Sequence, residues 1–192
     1  MKKSLIILSF ILLSFSTPFK KVIHNTDPDA RCLDGSPGIL FLHEGGEKDK
    51  ILIYFLGGGI CAGFSLNESI EDCYERSKTP LGSSKYYPDE IDGEDLGFLS
   101  LNATKNKFAT WTKVMVGYCD GSLHQGFRKN PISYKGVDLY FRGAALTRSH
   151  FKWLLKEHGM ADASKILISG SSAGGIATAI WSNYVRALVK NP

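Results

Sequence analysis

Several kinds of chemistry are missing from this 192-residue chain. No C-x-x-C pair stands near a histidine at zinc-ligand spacing, so no metal site is expected. Neither G-x-x-x-x-G-K-S/T nor G-x-G-x-x-G occurs, which argues against a phosphate or dinucleotide cradle. No cluster of Lys or Arg marks a nucleic-acid surface. There are no internal repeats and no low-complexity segment. The apolar stretch Ser4–Leu13 is too short to span a bilayer, so no stable membrane span is expected. Cysteine is sparse, with four residues, but the number is even.

The N-terminus carries an address signal. Lys2 and Lys3 precede the apolar stretch, which ends near Ser14-Phe-Ser16. This reads as a secretory signal peptide, residues 1–16, leaving residues 17–192 as the folded domain. Losing Lys2 and Lys3 would lower the 23 Lys and Arg to 21 against 19 Asp and Glu, a formal charge of +2. In a secreted, extracellular chain the cysteines read as disulfides. Three connectivities satisfy Cys32, Cys61, Cys73 and Cys119. The short loop from Cys61 to Cys73 favours Cys61–Cys73 with Cys32–Cys119. Two N-x-S/T sequons, at Asn67 and Asn102, suit glycosylation in the same compartment.

Hydrophobic periodicity gives an α/β chain. The runs Gly38–His43 and Lys50–Leu56, around a polar Gly-rich turn, read as a β-hairpin. Residues 17–37 read as a polar lead-in, and 62–110 as mostly irregular with a helix from Ser69 to Ser77. Lys113–Gly117 and Lys165–Ser169 are buried-type strands. Val137, Leu139 and Phe141 alternate with polar residues, as in a short or edge strand. Ala144, Phe151, Leu154 and Leu155 share one helical face, and that helix stops at Gly159. The last helix runs from Gly175 to about Lys190. Strands alternating with helices predict a mostly parallel sheet flanked by helices.

The chemistry concentrates in two places. Gly170-Ser-Ser-Ala-Gly174 is a G-x-S-x-G set between a strand and a helix, the context of a nucleophile elbow with Ser172 as nucleophile. Gly57-Gly-Gly59 follows the strand ending at Leu56 and lets a backbone approach a ligand closely. The N–H groups of Gly58, Gly59 and Ala173 are then candidates for an oxyanion hole, each donor contributing about 3 kcal/mol to the transition state. His24, His43, His124, His150 and His158 all precede the elbow and read as structural or surface residues. Asp120 reads as a turn residue and Asp162 as a cap.

These residues resemble the pectin acetylesterase family, which includes the Notum carboxylesterases. The resemblance rests on Cys32-Leu-Asp-Gly-Ser-Pro37, Leu56-Gly-Gly-Gly-Ile-Cys61, Glu71-Asp-Cys73, Leu81-Gly-Ser-Ser84, Gly97-Phe-Leu-Ser100, Trp111-Thr-Lys-Val, Tyr118-Cys-Asp-Gly-Ser122, Leu139-Tyr-Phe-Arg-Gly143 and Gly170–Gly175, and covers about residues 31 to 190. It implies an α/β-hydrolase fold, a cofactor-free serine esterase, and acetyl removal from a polysaccharide. The alternatives are a Notum-like esterase acting on an acylated secreted protein, and a truncated non-catalytic binder or pseudoenzyme. Ile60 departs from the family's aromatic residue, and Gly59 stands where Notum enzymes carry Trp. Serine hydrolases of this type place the triad Asp and His after the elbow, and neither follows in this chain. The sequence therefore reads as the N-terminal half of such a domain, with the C-terminal part missing, and is expected to be inactive alone.

Overall fold

A computed structural model describes residues 18–24, 27–94 and 96–190. The expected signal peptide lies outside the described residues. Eight strands and three α-helices are laid down as β1 (Phe19–Ile23), β2 (Ile39–His43), β3 (Glu47–Phe55), α1 (Leu66–Arg76), β4 (Glu90–Ile91), β5 (Trp111–Val116), β6 (Ile132–Tyr134), β7 (Val137–Leu139), α2 (Gly143–Glu157), β8 (Lys165–Gly170) and α3 (Ala173–Leu188). Six strands form one sheet in the order β4-β1-β2-β5-β3-β8. β3 runs parallel to both β5 and β8, while β1, β2 and β4 add an antiparallel flank. β6 and β7 form a separate two-stranded ribbon, so the alternating segment 137–141 contributes a short strand outside the main sheet.

The expected hairpin of residues 38–56 does not form. β5 lies between β2 and β3, pairing antiparallel with one and parallel with the other. The physical reason is burial: Ile51, Leu52 and Ile53 are 0% exposed, and a strand covered on both faces sits in the middle of a sheet with a partner on each edge. The lead-in also departs from expectation. Phe19–Ile23 is a strand, and Phe19 is fully buried in the sheet core.

The alternation along β3 explains the layers. Ile51, Ile53 and Phe55 point to one face, where Phe151 and Leu154 of α2 and Ala177, Trp181 and Val185 of α3 cover them. Leu52 and Tyr54 point to the other face, where Leu99, Phe108 and Trp111 belong to the irregular cover of the 87–111 segment. β8 occupies one edge of the sheet and has a strand partner on one side only among the described residues. Ser65 caps α1, its hydroxyl accepting from the Glu68 N–H at 3.2 Å. Disulfides join Cys32 to Cys119 and Cys61 to Cys73. Among the described residues, no helix is long and apolar enough to cross a membrane.

Candidate active site

β8 delivers the chain to a sharp bend, and α3 leaves it. Ser172 sits at the bend with φ 51° and ψ −122°, a backbone conformation that L-residues other than glycine rarely hold, and its side chain is exposed. Such strain persists only where surrounding structure imposes it. Here the imposition is close packing. A Cβ on Gly174 would lie 2.0 Å from the Phe55 carbonyl oxygen, so only glycine lets α3 start against the end of β3. The Ser171 carbonyl accepts from the Gly174 N–H at 2.8 Å, and the Ser172 carbonyl from the Gly175 N–H at 2.9 Å. The first turn of α3 thereby begins directly behind the serine, with its positive dipole end at Ser172 and Ala173.

The glycine loop leaves β3 beside this bend. A Cβ on Gly57 would stand 3.0 Å from the Ser172 Cβ and 2.3 Å from the Ser171 carbonyl oxygen, so loop and bend are in contact there. The loop's carbonyls are held from behind. His124 Nε2 donates to Leu56 O at 2.8 Å, Arg76 Nη1 to Gly58 O at 2.7 Å, and the Tyr118 hydroxyl to Gly59 O at 2.6 Å. Beyond the loop, the Cys61 N–H donates to Gly121 O at 2.9 Å. Among the described residues, no hydrogen bond engages the N–H of Gly58, Gly59 or Ala173.

The holding groups have the protonation these bonds require. Burial, and then the nearby Asp120 carboxylate, push the Tyr118 phenol up to about 12, so it remains a donor. Burial lowers the His124 imidazole despite the opposing pull of Asp120. The ring is neutral at ordinary pH, and its Nε2 proton is committed to the Leu56 carbonyl. The backbone of His124 is equally occupied: its carbonyl accepts from Trp181 Nε1 at 3.1 Å and Thr147 Oγ1 at 3.0 Å.

The other singled-out residues lie elsewhere. His24 and His150 form a buried pair, Nε2 to Nδ1 at 2.7 Å. His43 packs against Phe19 and His158 against Trp153. Asp120 braces its own turn by accepting from the N–H groups of Ser122 and His124 at 3.0 and 3.2 Å. Asp162 pairs with Lys190 at 2.7 Å. Among the described residues, no side chain hydrogen-bonds the Ser172 hydroxyl, and no group of three His, Cys, Asp or Glu side chains could hold a metal ion. Asn67 is exposed in the first turn of α1, whereas the Asn102 side chain is engaged by the Thr104 N–H at 2.9 Å.

An apolar cleft of about 350 Å³ opens beside the loop, lined by Ile60, Leu66, Ile70, Leu123, Ile132 and Phe141. Ser172 does not line it. His124 reads from the sequence as structural, as it is, but nothing in the sequence marks Arg76 or the Tyr118 hydroxyl as holding the loop. Tyr118 lay inside a quoted motif, but nothing local pointed to its hydroxyl.

A model of the pectinacetylesterase family matches residues 14–192. Pectin acetylesterase 5 of Arabidopsis thaliana is 37% identical over 161 residues, covering 82% of this chain and 35% of that protein. Pectin acetylesterase 4 of the same plant is 36% identical, covering 82% and 37%. The palmitoleoyl-protein carboxylesterase NOTUM of Mus musculus is 29% identical, covering 83% and 30%. The solved structure of the Wnt deacylase Notum from Drosophila superposes with a TM-score of 0.75 at 24% identity, covering 88% of this chain and 47% of that one. The fold is thus α/β-hydrolase-like, and the chain spans roughly a third of the length of these curated relatives.

Proposed function

The chain belongs to the pectinacetylesterase family, and on that premise we propose that it is the nucleophile-bearing part of a secreted serine esterase that removes acetyl groups from a polysaccharide. One observation carries the reading: Ser172 is exposed in a strained elbow, with the glycine loop against it at Gly57. In the reaction the Ser172 hydroxyl attacks the acetyl carbonyl carbon. The carbonyl oxygen becomes an oxyanion and accepts hydrogen bonds from the N–H groups of Gly58, Gly59 and Ala173. Collapse expels the sugar alkoxide, which takes a proton as it leaves, and water then releases acetate from the acyl-serine. A serine hydroxyl needs a neighbouring base for this attack. None of the described residues takes that place at Ser172, and in hydrolases of this fold the acid and the histidine follow the elbow along the chain.

The acetyl-polysaccharide substrate draws on the higher identity to the two pectin acetylesterases, 37% and 36% against 29% for the mouse esterase. Secretion draws on the disulfides, which persist in oxidising compartments. A second reading, removal of a longer acyl group from a protein, is favoured by the apolar cleft next to Ile60. The test is fluorophosphonate labelling of the protein at its full length, with any acid and histidine that follow the elbow in place, together with acetate release from acetylated pectin and fatty-acid release from an acylated peptide. Labelling and acetate release that both vanish in Ser172→Ala are expected. Fatty-acid release alone would move the function to the second reading. No labelling and no release of either product would leave a non-catalytic binder.

A further inference from the structure

Three consecutive glycines are a poor oxyanion hole on their own. Glycine populates both halves of backbone space with little cost, so the peptide planes of such a loop can flip. Electrostatic stabilisation of a transition state works only when the donors are already aimed before charge develops. Something outside the loop must aim them, and residues distant in sequence grip its oxygens.

We propose, building on the serine-esterase reading, that Arg76 and Tyr118 are positioning residues which aim the N–H groups of Gly59 and Ile60 by gripping the carbonyls of Gly58 and Gly59. The described peptide bonds are all trans, and a trans peptide carries its N–H on the side opposite its C=O. The Gly58 oxygen is drawn to Arg76 Nη1 at 2.7 Å, so the Gly59 N–H faces away from α1. The Gly59 oxygen is drawn to the Tyr118 hydroxyl at 2.6 Å, so the Ile60 N–H faces away from the 118–124 turn. Both grips are themselves braced. Arg76 Nε is held at 3.1 Å by Asp72 Oδ2, which also accepts from the Ala62 N–H at 3.1 Å. The Tyr118 ring is fully buried, and its oxygen accepts from the Leu123 N–H at 3.2 Å. His124 repeats the device two residues upstream of Gly58, at the Leu56 carbonyl. Arg76 adds a cation against the loop: a Cβ on Gly59 would be 2.8 Å from its Nη2. The consequence for the site is a shift of weight along the loop. The gripped donors are those of Gly59 and Ile60, whereas among the described residues nothing grips the Gly57 carbonyl of the peptide that carries the Gly58 N–H.

The test separates aim from mere stability. Turnover of p-nitrophenyl acetate is measured on the protein at its full length, with any acid and histidine that follow the elbow in place, for the wild type, Ser172→Ala, Tyr118→Phe, Arg76→Met and Arg76→Lys, with thermal melting of each. A donor misplaced by about an ångström costs on the order of 100-fold. Tyr118→Phe and Arg76→Met are therefore expected to lower kcat by about 10- to 100-fold with KM within about twofold, and Arg76→Lys is expected to recover part of the loss. If Tyr118→Phe and Arg76→Met keep wild-type kcat while melting lower, the grips are structural only and the proposal is overturned. If the wild type turns over no faster than Ser172→Ala, the esterase reading itself fails, and the grips lose their role with it.

Discussion

Ser172 should be a site where stability has been given up for geometry, and glycine should recover it. The residue holds φ 51° and ψ −122°, a region where a Cβ costs about 1–3 kcal/mol. Alanine removes the hydroxyl but keeps the Cβ, so Ser172→Ala retains the strain. Ser172→Gly removes it, at the expense of about 0.5–1 kcal/mol of extra unfolded-state freedom. The net expectation is that Ser172→Gly is about 1–2 kcal/mol more stable than Ser172→Ala. For a chain of this size each kcal/mol moves the melting temperature by about 2–4 °C, so the two variants should melt about 2–8 °C apart. The side chain makes no hydrogen bond among the described residues, so its removal adds little to the balance. Calorimetry or urea denaturation of both proteins measures the difference, and fluorophosphonate labelling should be lost in both. Equal stability of the two variants would refute the strain argument, and with it the main structural support for an elbow at this position.

Gly57→Ala places a Cβ 2.3 Å from the Ser171 carbonyl oxygen; it should reduce turnover by on the order of 100-fold by displacing the loop, with a stability loss of about 1–3 kcal/mol from overpacking, both read from steady-state kinetics and melting. His24 and His150 are held below the ordinary histidine value, His150 well below it, chiefly by burial. Well above pH 6.5 both folded and unfolded histidines are neutral and stability is complete; below it the unfolded chain takes up protons that the folded pair refuses, costing up to roughly 1.4 kcal/mol per pH unit for His150 and less for His24. The urea midpoint should therefore fall between pH 7 and pH 5.5, less steeply in His150→Gln, and a flat profile would contradict it. The Cys61–Cys73 bond closes a loop with a sequence separation of 12, so loop entropy gives it about 3 kcal/mol; melting of Cys61→Ser/Cys73→Ser against the wild type checks this.

What could be read ahead of the structure was local. Strand, Gly-flanked serine and helix are contiguous between Lys165 and Leu188, so their pattern survives in one window of sequence. The same holds for α2, whose buried face recurs at Ala144, Phe151 and Leu154. Errors arose where partners are distant. The two runs lie six residues apart and read as neighbours, yet β5, some sixty residues later, enters between them: Thr112–Val116 is buried throughout, and a strand covered in that way takes a partner on each edge. Phe19–Ile23 is illegible as a strand because Lys20 and Lys21 interrupt its alternation, although it pairs with β2 over four residues. The loop grips were illegible for the same reason. Arg76 and Gly58 are 18 positions apart, Tyr118 and Gly59 are 59 apart, and His124 and Leu56 are 68 apart. No periodicity records such pairs.

The free side of β8 has a practical consequence. Ile166, Leu167 and Ile168 are half-buried on a strand whose outer row of backbone donors and acceptors has no strand partner among the described residues. Such a row is a template for any extended peptide. Solutions of this polypeptide should scatter more light as concentration rises, and a lysine introduced at position 167 should keep them clear.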